Sequence, residues 1–138
     1  KHKHLPEMQT HTGLQHSPLF MPVVGSFYKG LAVTVPLALS QLAPGCTAQA
    51  LHRAFAQRYE GERFIRVMPL HDPGTLERDG GFFDVMGCND SNRVDLFVFG
   101  NDSQVVLIAR LDNLGKGASG AAVQSMNVHL EVDEGLGL

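Results

Sequence analysis

The residues able to do chemistry in this chain gather in two stretches, one near each end. The first is Lys1-His2-Lys3-His4-Leu5-Pro6-Glu7-Met8-Gln9-Thr10-His11. Pro6 suits the first turn of a short helix, Glu7 complements the positive end of its dipole, and Gly13 is placed to stop it. His4, Glu7 and His11 at i, i+3 and i+7 then share roughly one helical face, where imidazole and carboxylate can hold a metal ion together. No fourth ligand accompanies them, so the sequence assigns no metal, and an expression-tag remnant or a frayed terminus is the competing reading. The second stretch runs from Leu111 to Asn127 and reads as a strand end, a glycine-rich loop and a helix. Gly115, Gly117 and Gly120 crowd the helix start. Glycine costs helix stability, so three there call for the close approach of another group. The first N–H groups of a helix lack internal partners and carry partial positive charge. With Lys116 beside them they could face a phosphate or a carboxylate. A loop followed by a tightly packed, small-residue helix explains the same residues without a ligand.

The elements that must position these stretches follow from periodicity and punctuation. Leu19 to Val24 and Leu31 to Leu39 read as strands, the second alternating bulky Leu31, Val33, Val35 and Leu37 with Ala32, Thr34 and Ala38. Pro36 inside that run predicts an edge or a bulge. The long link from Gly25 to Gly30 could carry function; Lys29 within it could meet a substrate anion, although it reads first as a solvated lysine. Thr47 is a helix N-cap, and Ala48, Leu51, Phe55 and Tyr59 mark one face of a helix over 48–59 that Gly61 ends. Phe64 to Met68 is a short strand, Pro69 to Gly81 a loop holding His71, and Phe82 to Met86 another short strand. Val94 to Phe99 and Val105 to Ala109 form a hairpin across Gly100-Asn101-Asp102-Ser103. Val105 to Ala109 is apolar on both faces, which predicts a central strand. In the last helix Ala118, Ala122, Met126 and Leu130 form one apolar stripe, and the glycine-rich tail from Asp133 is expected to fray. The order predicts an α+β layer, a mixed, mostly antiparallel sheet with helices on one face.

Composition bounds the function. A chain of 138 residues, 43% hydrophobic and 18% charged, has the makings of a single domain with a core. A net charge of −3 argues against a general nucleic-acid binder. No apolar run approaches the length of a membrane span. Two cysteines with no wider framework fit a reducing compartment, and a cytoplasmic location is expected. Cys46 sits just before a helix, a setting for modest reactivity, while Cys88 reads as a small packing residue. No G-x-G-x-x-G follows a first strand, and the chain opens in mid-motif. It is therefore expected to be a piece of a longer polypeptide whose dinucleotide-binding half lies elsewhere.

Several motifs together carry a family resemblance. Asp112-Asn113-Leu114 with Lys116-Gly117-Ala118-Ser119-Gly120 and Val123-Gln124, ending in Met126-Asn127, resembles the C-terminal helix of N-acetyl-gamma-glutamyl-phosphate reductases. A related run occurs in aspartate-semialdehyde dehydrogenases, and Asp112-Asn113 resembles the Asp-Asn-Glu of glyceraldehyde-phosphate dehydrogenases. His2-Lys3-His4-Leu5-Pro6-Glu7 is similar to the reductases' His-Arg-His-x-Pro-Glu, with Lys3 departing from the commoner Arg. Phe20 to Val35 and Asn92-Arg93-Val94-Asp95 add further matches.

The resemblance implies the fold of the glyceraldehyde-3-phosphate dehydrogenase-like C-terminal domain over residues 1–138, serving substrate binding and dimerisation, with homo-oligomers (dimer or tetramer). It implies NADPH-dependent reduction of N-acetyl-glutamyl phosphate through a cysteine thioester, in arginine biosynthesis, with the cofactor held mainly by the missing N-terminal domain. It places His4 (or His2) as acid–base partner of the cysteine, Glu7 as an orienting or substrate-contacting group, and Asn113, Lys116 and Gly117 near the cofactor. Pro44-Gly45-Cys46-Thr47 mimics the family's Pro-Gly-Cys-Tyr nucleophile motif but follows the His-x-His motif instead of preceding it, so Cys46 is read as non-catalytic. A related semialdehyde or aminoadipyl-type reductase domain, or a non-catalytic oligomerisation module, are the alternatives.

Overall fold

The computed structural model describes residues 2–72, 74 and 81–138. Part of the loop expected over Pro69 to Gly81 lies outside the described residues. Helix α1 (His4–Thr12) comes first, then strand β1 (Leu31–Ala38), helix α2 (Ala48–Arg58), strands β2 (Ile65–Val67), β3 (Val94–Gly100) and β4 (Gln104–Leu111), and helix α3 (Gly120–His129). One four-stranded sheet runs in the order β1-β4-β3-β2. Its β1–β4 and β3–β4 pairs are antiparallel and its β2–β3 pair is parallel. This is the mixed α+β sheet that the order of elements predicts. Strand β4 is central, as its apolar run requires, and Pro36 lies in edge strand β1, where a missing N–H is tolerated.

Cross-strand register sorts the sheet's two faces. Val98, Val105 and Leu107 point to one side, where Ala48, Leu51 and Phe55 of α2 pack on them. Thr47 caps α2 as expected, its hydroxyl accepting from the Ala50 N–H at 3.1 Å. Leu31, Val33 and Val35 share this face by register but lie at its β1 margin, and all three are exposed. The other face carries Asp95, Phe97 and Arg110, buried beneath the segment that includes Phe83 and Gly87. Phe83 packs edge-on against Phe97 with ring centroids 5.1 Å apart.

Four local expectations are corrected. Leu19 to Val24 is not a strand. Pro22 removes one of its donors, no strand among the described residues pairs with it, and Leu19 is 97% and Val24 95% exposed. Phe82 to Met86 is also irregular, because Asp84 turns the chain by accepting from the Met86 N–H at 3.0 Å. The stripe Ala118, Ala122, Met126 and Leu130 faces outward, and α3 instead buries Gly120 and Asn127. The tail does not fray. The buried Asn127 amide donates to the Glu134 and Leu136 carbonyls at 3.1 and 2.9 Å, and Arg63 pairs with Asp133 at 2.7 Å.

Candidate functional site

The residues singled out by chemistry fall into two groups that the structure keeps apart. The first group is α1. Gly13 adopts φ 71° and donates its N–H to the Gln9 carbonyl, which stops the helix where the sequence predicts. The His2 ring meets the His4 ring edge-on at 4.8 Å and Phe20 at 4.6 Å. His2 Nδ1 accepts from the His4 backbone N–H at 3.3 Å. Gln9 fastens the following chain, donating to the Gln15 carbonyl and accepting from the Ser17 hydroxyl. His2, Lys3, Leu5, Pro6, Gln9 and Ser17 line a cleft of ≈ 360 Å³. His4 and Glu7 are exposed, and α1 buries none of its residues.

The second group surrounds the turn after β4, where a cleft of ≈ 310 Å³ is lined by Lys29, Asp90, Asn92, Asp112, Gly115 and Ser119, among others. The glycine-rich helix start does face a carboxylate, and that carboxylate is the chain's own. Asp112, 1% exposed, accepts from the Leu114 and Gly115 N–H groups at 2.9 and 3.0 Å. It also accepts from the Asp90 N–H at 3.0 Å and from the Lys29 ammonium at 2.9 Å. Burial pushes the Asp112 pKa up, but the Gly115 N–H, Lys29, and the Asp90 and Leu114 N–H groups outweigh it and hold the carboxyl far below its ordinary range. Lys29 responds in the opposite sense. Hydrogen bonds to Asp90 and Asp112 raise its pKa, so it stays charged.

This accounts for the glycines. A Cβ on Gly115 would lie 3.2 Å from the Asp112 carboxyl carbon, and one on Gly120 only 2.3 Å from Asn92 Oδ1. Close approach of the chain's own atoms is what these two positions accommodate. The chain winds through a π-helical turn at Gly115–Ser119 before α3 begins, so the helix expected from Ala118 starts two residues later.

The sequence-predicted residues of this group divide accordingly. Asn113 lies between two lining residues and accepts the Gly30 N–H on Oδ1 at 2.7 Å, which leaves its Nδ2 as the donor able to meet a ligand. The Lys116 ammonium turns away to Gln124 and sits 5.5 Å from the centre of the Phe64 ring. The Gly117 N–H is used by the Asp112 carbonyl at 2.8 Å. Among the described residues no hydrogen bond or ion pair joins His2, His4 or Glu7 to Asn113, Lys116 or Gly117. Sequence reasoning missed Asp112, Asp90 and Asn92, and took Lys29 for a solvated lysine although its side chain is only 19% exposed. An Asp directly before a glycine-rich helix start is a capping signal that would have found Asp112. Nothing local marks Lys29, whose partners are 61 and 83 positions away.

Outside these groups, Cys46 is partly buried beside the start of α2, and Cys88 is buried. The Cys88 thiol faces Asp95, and burial, then that carboxylate, pushes its pKa up. Cys88 therefore packs as a neutral thiol. No helix among the described residues is long and apolar enough to cross a membrane.

Comparison with known proteins agrees with this architecture. N-acetyl-gamma-glutamyl-phosphate reductase 2 of a Nostoc species is 51% identical over 99% of this chain, which covers 43% of that protein. The N-acetyl-gamma-glutamyl-phosphate reductase of Trichormus variabilis is 50% identical over 99% of the chain, covering 43% of its own length. The enzyme of that name from Sinorhizobium medicae is 45% identical over 94% of the chain and 41% of its own length. The chain thus spans less than half the length of the curated relatives it matches. The family description "semialdehyde dehydrogenase, dimerisation domain" matches residues 1–113. With its mixed sheet, its covering helix and this match over most of its length, the chain belongs to the semialdehyde dehydrogenase dimerisation domain family.

Proposed function

We propose that this chain works as the C-terminal, dimerising and substrate-side domain of a longer NADPH-dependent N-acetyl-gamma-glutamyl-phosphate reductase, with the dinucleotide-binding domain and the nucleophilic cysteine outside these residues. The observation that carries this reading is identity of 45–51% to reductases of that name over 94–99% of the chain. In this reading the enzyme reduces an acyl phosphate to an aldehyde in arginine biosynthesis, in the cytoplasm. A cysteine thiolate attacks the acyl carbon and phosphate leaves. NADPH, when bound, supplies hydride to the resulting thioester.

The chain's own residues serve two ends of that chemistry. His4 is exposed on α1, free to accept the thiol proton and later to donate one to the aldehyde oxygen. His2, packed against it, is the alternative acid–base group. Glu7, one turn on, orients a histidine or contacts the substrate. Asn113 fits a cofactor carboxamide, because its Nδ2 is the half of the amide that Gly30 does not use. Lys116 and Gly117, with ammonium and N–H already engaged, enter as loop-shaping neighbours of the cofactor rather than as donors to it.

Two surfaces suit the missing partners. The outward stripe of α3, with Met126 and Leu130 more than half exposed, is an apolar surface for the dinucleotide domain to cover. Pairing of two copies is the role of the family, and the sheet is the proposed surface for it, including the exposed row Leu31, Val33 and Val35.

The test is turnover of N-acetyl-glutamyl phosphate by the full-length protein. His4→Ala should lower turnover by roughly 10²- to 10⁴-fold, as loss of a general acid–base group does. His71→Ala should change it little, since His71 lies in an exposed loop where its Nδ1 only accepts the Gly100 N–H. Equal effects would remove His4 from the mechanism, and a full-length protein without this activity would sink the reading.

A further inference from the structure

Asp112 collects donors from three separate stretches of chain: Lys29, Asp90, and Leu114 with Gly115. The next residue, Asn113, takes the N–H of Gly30, which directly follows Lys29. The Lys29 carbonyl in turn accepts from Asn89 Nδ2 at 3.0 Å, beside Asp90. Gly30 at φ 127° is the hinge that permits this. A Cβ there would be strained and would lie 2.9 Å from the Val85 carbonyl oxygen. The Lys29-Gly30 peptide is therefore held at its N–H by Asn113 and at its carbonyl by Asn89, while Asp112 holds the Lys29 ammonium and the Asp90 N–H. Because the amide is planar, fixing Oδ1 on Gly30 also sets the direction of the Asn113 Nδ2, and Asp112 holds the segments on both sides of that bond, Lys29 and the 114–115 turn.

We propose that Asp112 is a positioning residue that, through Lys29 and the 114–115 turn, fixes the Asn113 amide for the cofactor. It rests on the reading of Asn113 given above. A carboxylate is needed because it alone accepts four donors at once, two N–H groups on one oxygen and an N–H with an ammonium on the other. An amide of the same shape has one acceptor oxygen, so Asp112→Asn turns half of the clamp into a donor facing donors.

The experiment measures NADPH affinity by titration calorimetry, together with KM for NADPH and kcat, in the full-length protein carrying Asn113→Ala, Asp112→Asn, Lys29→Met, or Asp112→Asn with Asn113→Ala. Asn113→Ala and Asp112→Asn should each weaken NADPH binding about tenfold or more, with KM rising by more than kcat falls. Lys29→Met, which removes one donor, should act in the same direction and less, and it tests the clamp even where Asp112→Asn fails to fold. The double variant should bind no more weakly than Asn113→Ala alone, because Asp112 acts through Asn113. Additive losses, or folded Lys29→Met and Asp112→Asn proteins that bind NADPH normally while Asn113→Ala does not, overturn the positioning role. Normal binding by Asn113→Ala overturns the reading of Asn113 itself, and the positioning role with it.

Discussion

Asp95 and Asp112 are both sealed from solvent, at 0% and 1% exposure, yet different kinds of donor hold them. Asp95 sits within β3 and is met by side chains: Arg66 on β2 through Nε and Nη2 at 3.1 and 2.9 Å, Arg110 on β4 at 2.8 Å, and Arg93 at 2.8 Å. Asp112 sits where the chain leaves β4 and is met by three backbone N–H groups and one lysine. The reason is topological. Inside a sheet the backbone donors are committed to neighbouring strands, so a buried carboxylate there must draw on long side chains that reach across strands. Beyond the sheet's end the N–H groups of a turn and a helix start are unclaimed, and a carboxylate there sets the shape of loops. Asp95 ties β2, β3 and β4 to one another. Asp112 ties the turns that carry the proposed cofactor-facing residue.

The comparison breaks most visibly at Asp95. Removing it leaves Arg110, 5% exposed, beside two further guanidinium groups with no carboxylate between them. Arg110 also lies over the Phe83 and Phe97 rings, so its displacement disturbs the core beneath. Asp95→Ala should destabilise this domain by about 3–5 kcal/mol, the loss seen when one partner of a buried ion pair is deleted. Urea unfolding of the chain measures it. A loss no larger than that of a surface substitution would show that the arginines find water or other acceptors, and that Asp95 is not what holds the strands.

How much of this was legible beforehand differs between the same two places. The strand order followed from pattern: the doubly apolar run at Val105 marked a central strand, and Pro36 marked an edge. Thr47 marked a helix start because a cap is a local device. Asp95 and its arginines were not legible. Arg66 and Arg110 are 29 and 15 positions away and meet only through register. The Leu19 to Val24 run misled because an apolar run makes a strand only when a partner strand exists to take its hydrogen bonds. The stripe on α3 misled because its apolar side has no cover among the described residues. At the proposed site the residue types were visible, but their partners were not. A resemblance marks Asn113, while the contact that orients it comes from Gly30, 83 positions away, which Asn89 and Lys29 hold in place in turn.

Acid should separate the two carboxylates next. Burial raises the Asp95 pKa, but Arg66, Arg110, Cys88 and Arg93 outweigh it and bring the carboxyl down to about 2, from an ordinary 3.8. A folded pKa below the unfolded one gives stability that is complete above the unfolded value and lost as pH falls through the folded one. The wild-type chain should therefore lose on the order of 2 kcal/mol from this group between about pH 4 and pH 2. Asp112, held lower still, should keep its charge further into acid. Both unfolded carboxyls protonate near the ordinary value, so Asp95→Asn and Asp112→Asn should each flatten the stability curve over that window, and only Asp112→Asn should go on flattening it at still lower pH. Flattening by Asp112→Asn that ends at the same pH as that by Asp95→Asn would mean that side-chain and backbone donors hold a carboxylate alike.

The smallest effect is expected where a carboxylate pairs at the surface. Asp133 accepts from Arg63 at 2.7 Å and from the Gly135 N–H at 2.9 Å, and it combines the two donor types that Asp95 and Asp112 keep apart. Arg63, then the Gly135 N–H, lower the Asp133 pKa. Both side chains are half or more exposed, at 50% and 66%, so water competes for each of them. Arg63→Ala should shift the melting midpoint by a few degrees at most, and the shift should vanish near 1 M salt, where the screening length is about 3 Å. Asp133→Ala should cost more than Arg63→Ala, because it also frees an N–H in a glycine that is otherwise buried. That extra cost should survive salt, since it arises from an unpaired donor and not from charge. Thermal melts of the two variants at low and high salt resolve the two contributions. If salt erases both shifts equally, the Gly135 bond contributes nothing, and backbone donors matter only where a carboxylate is buried.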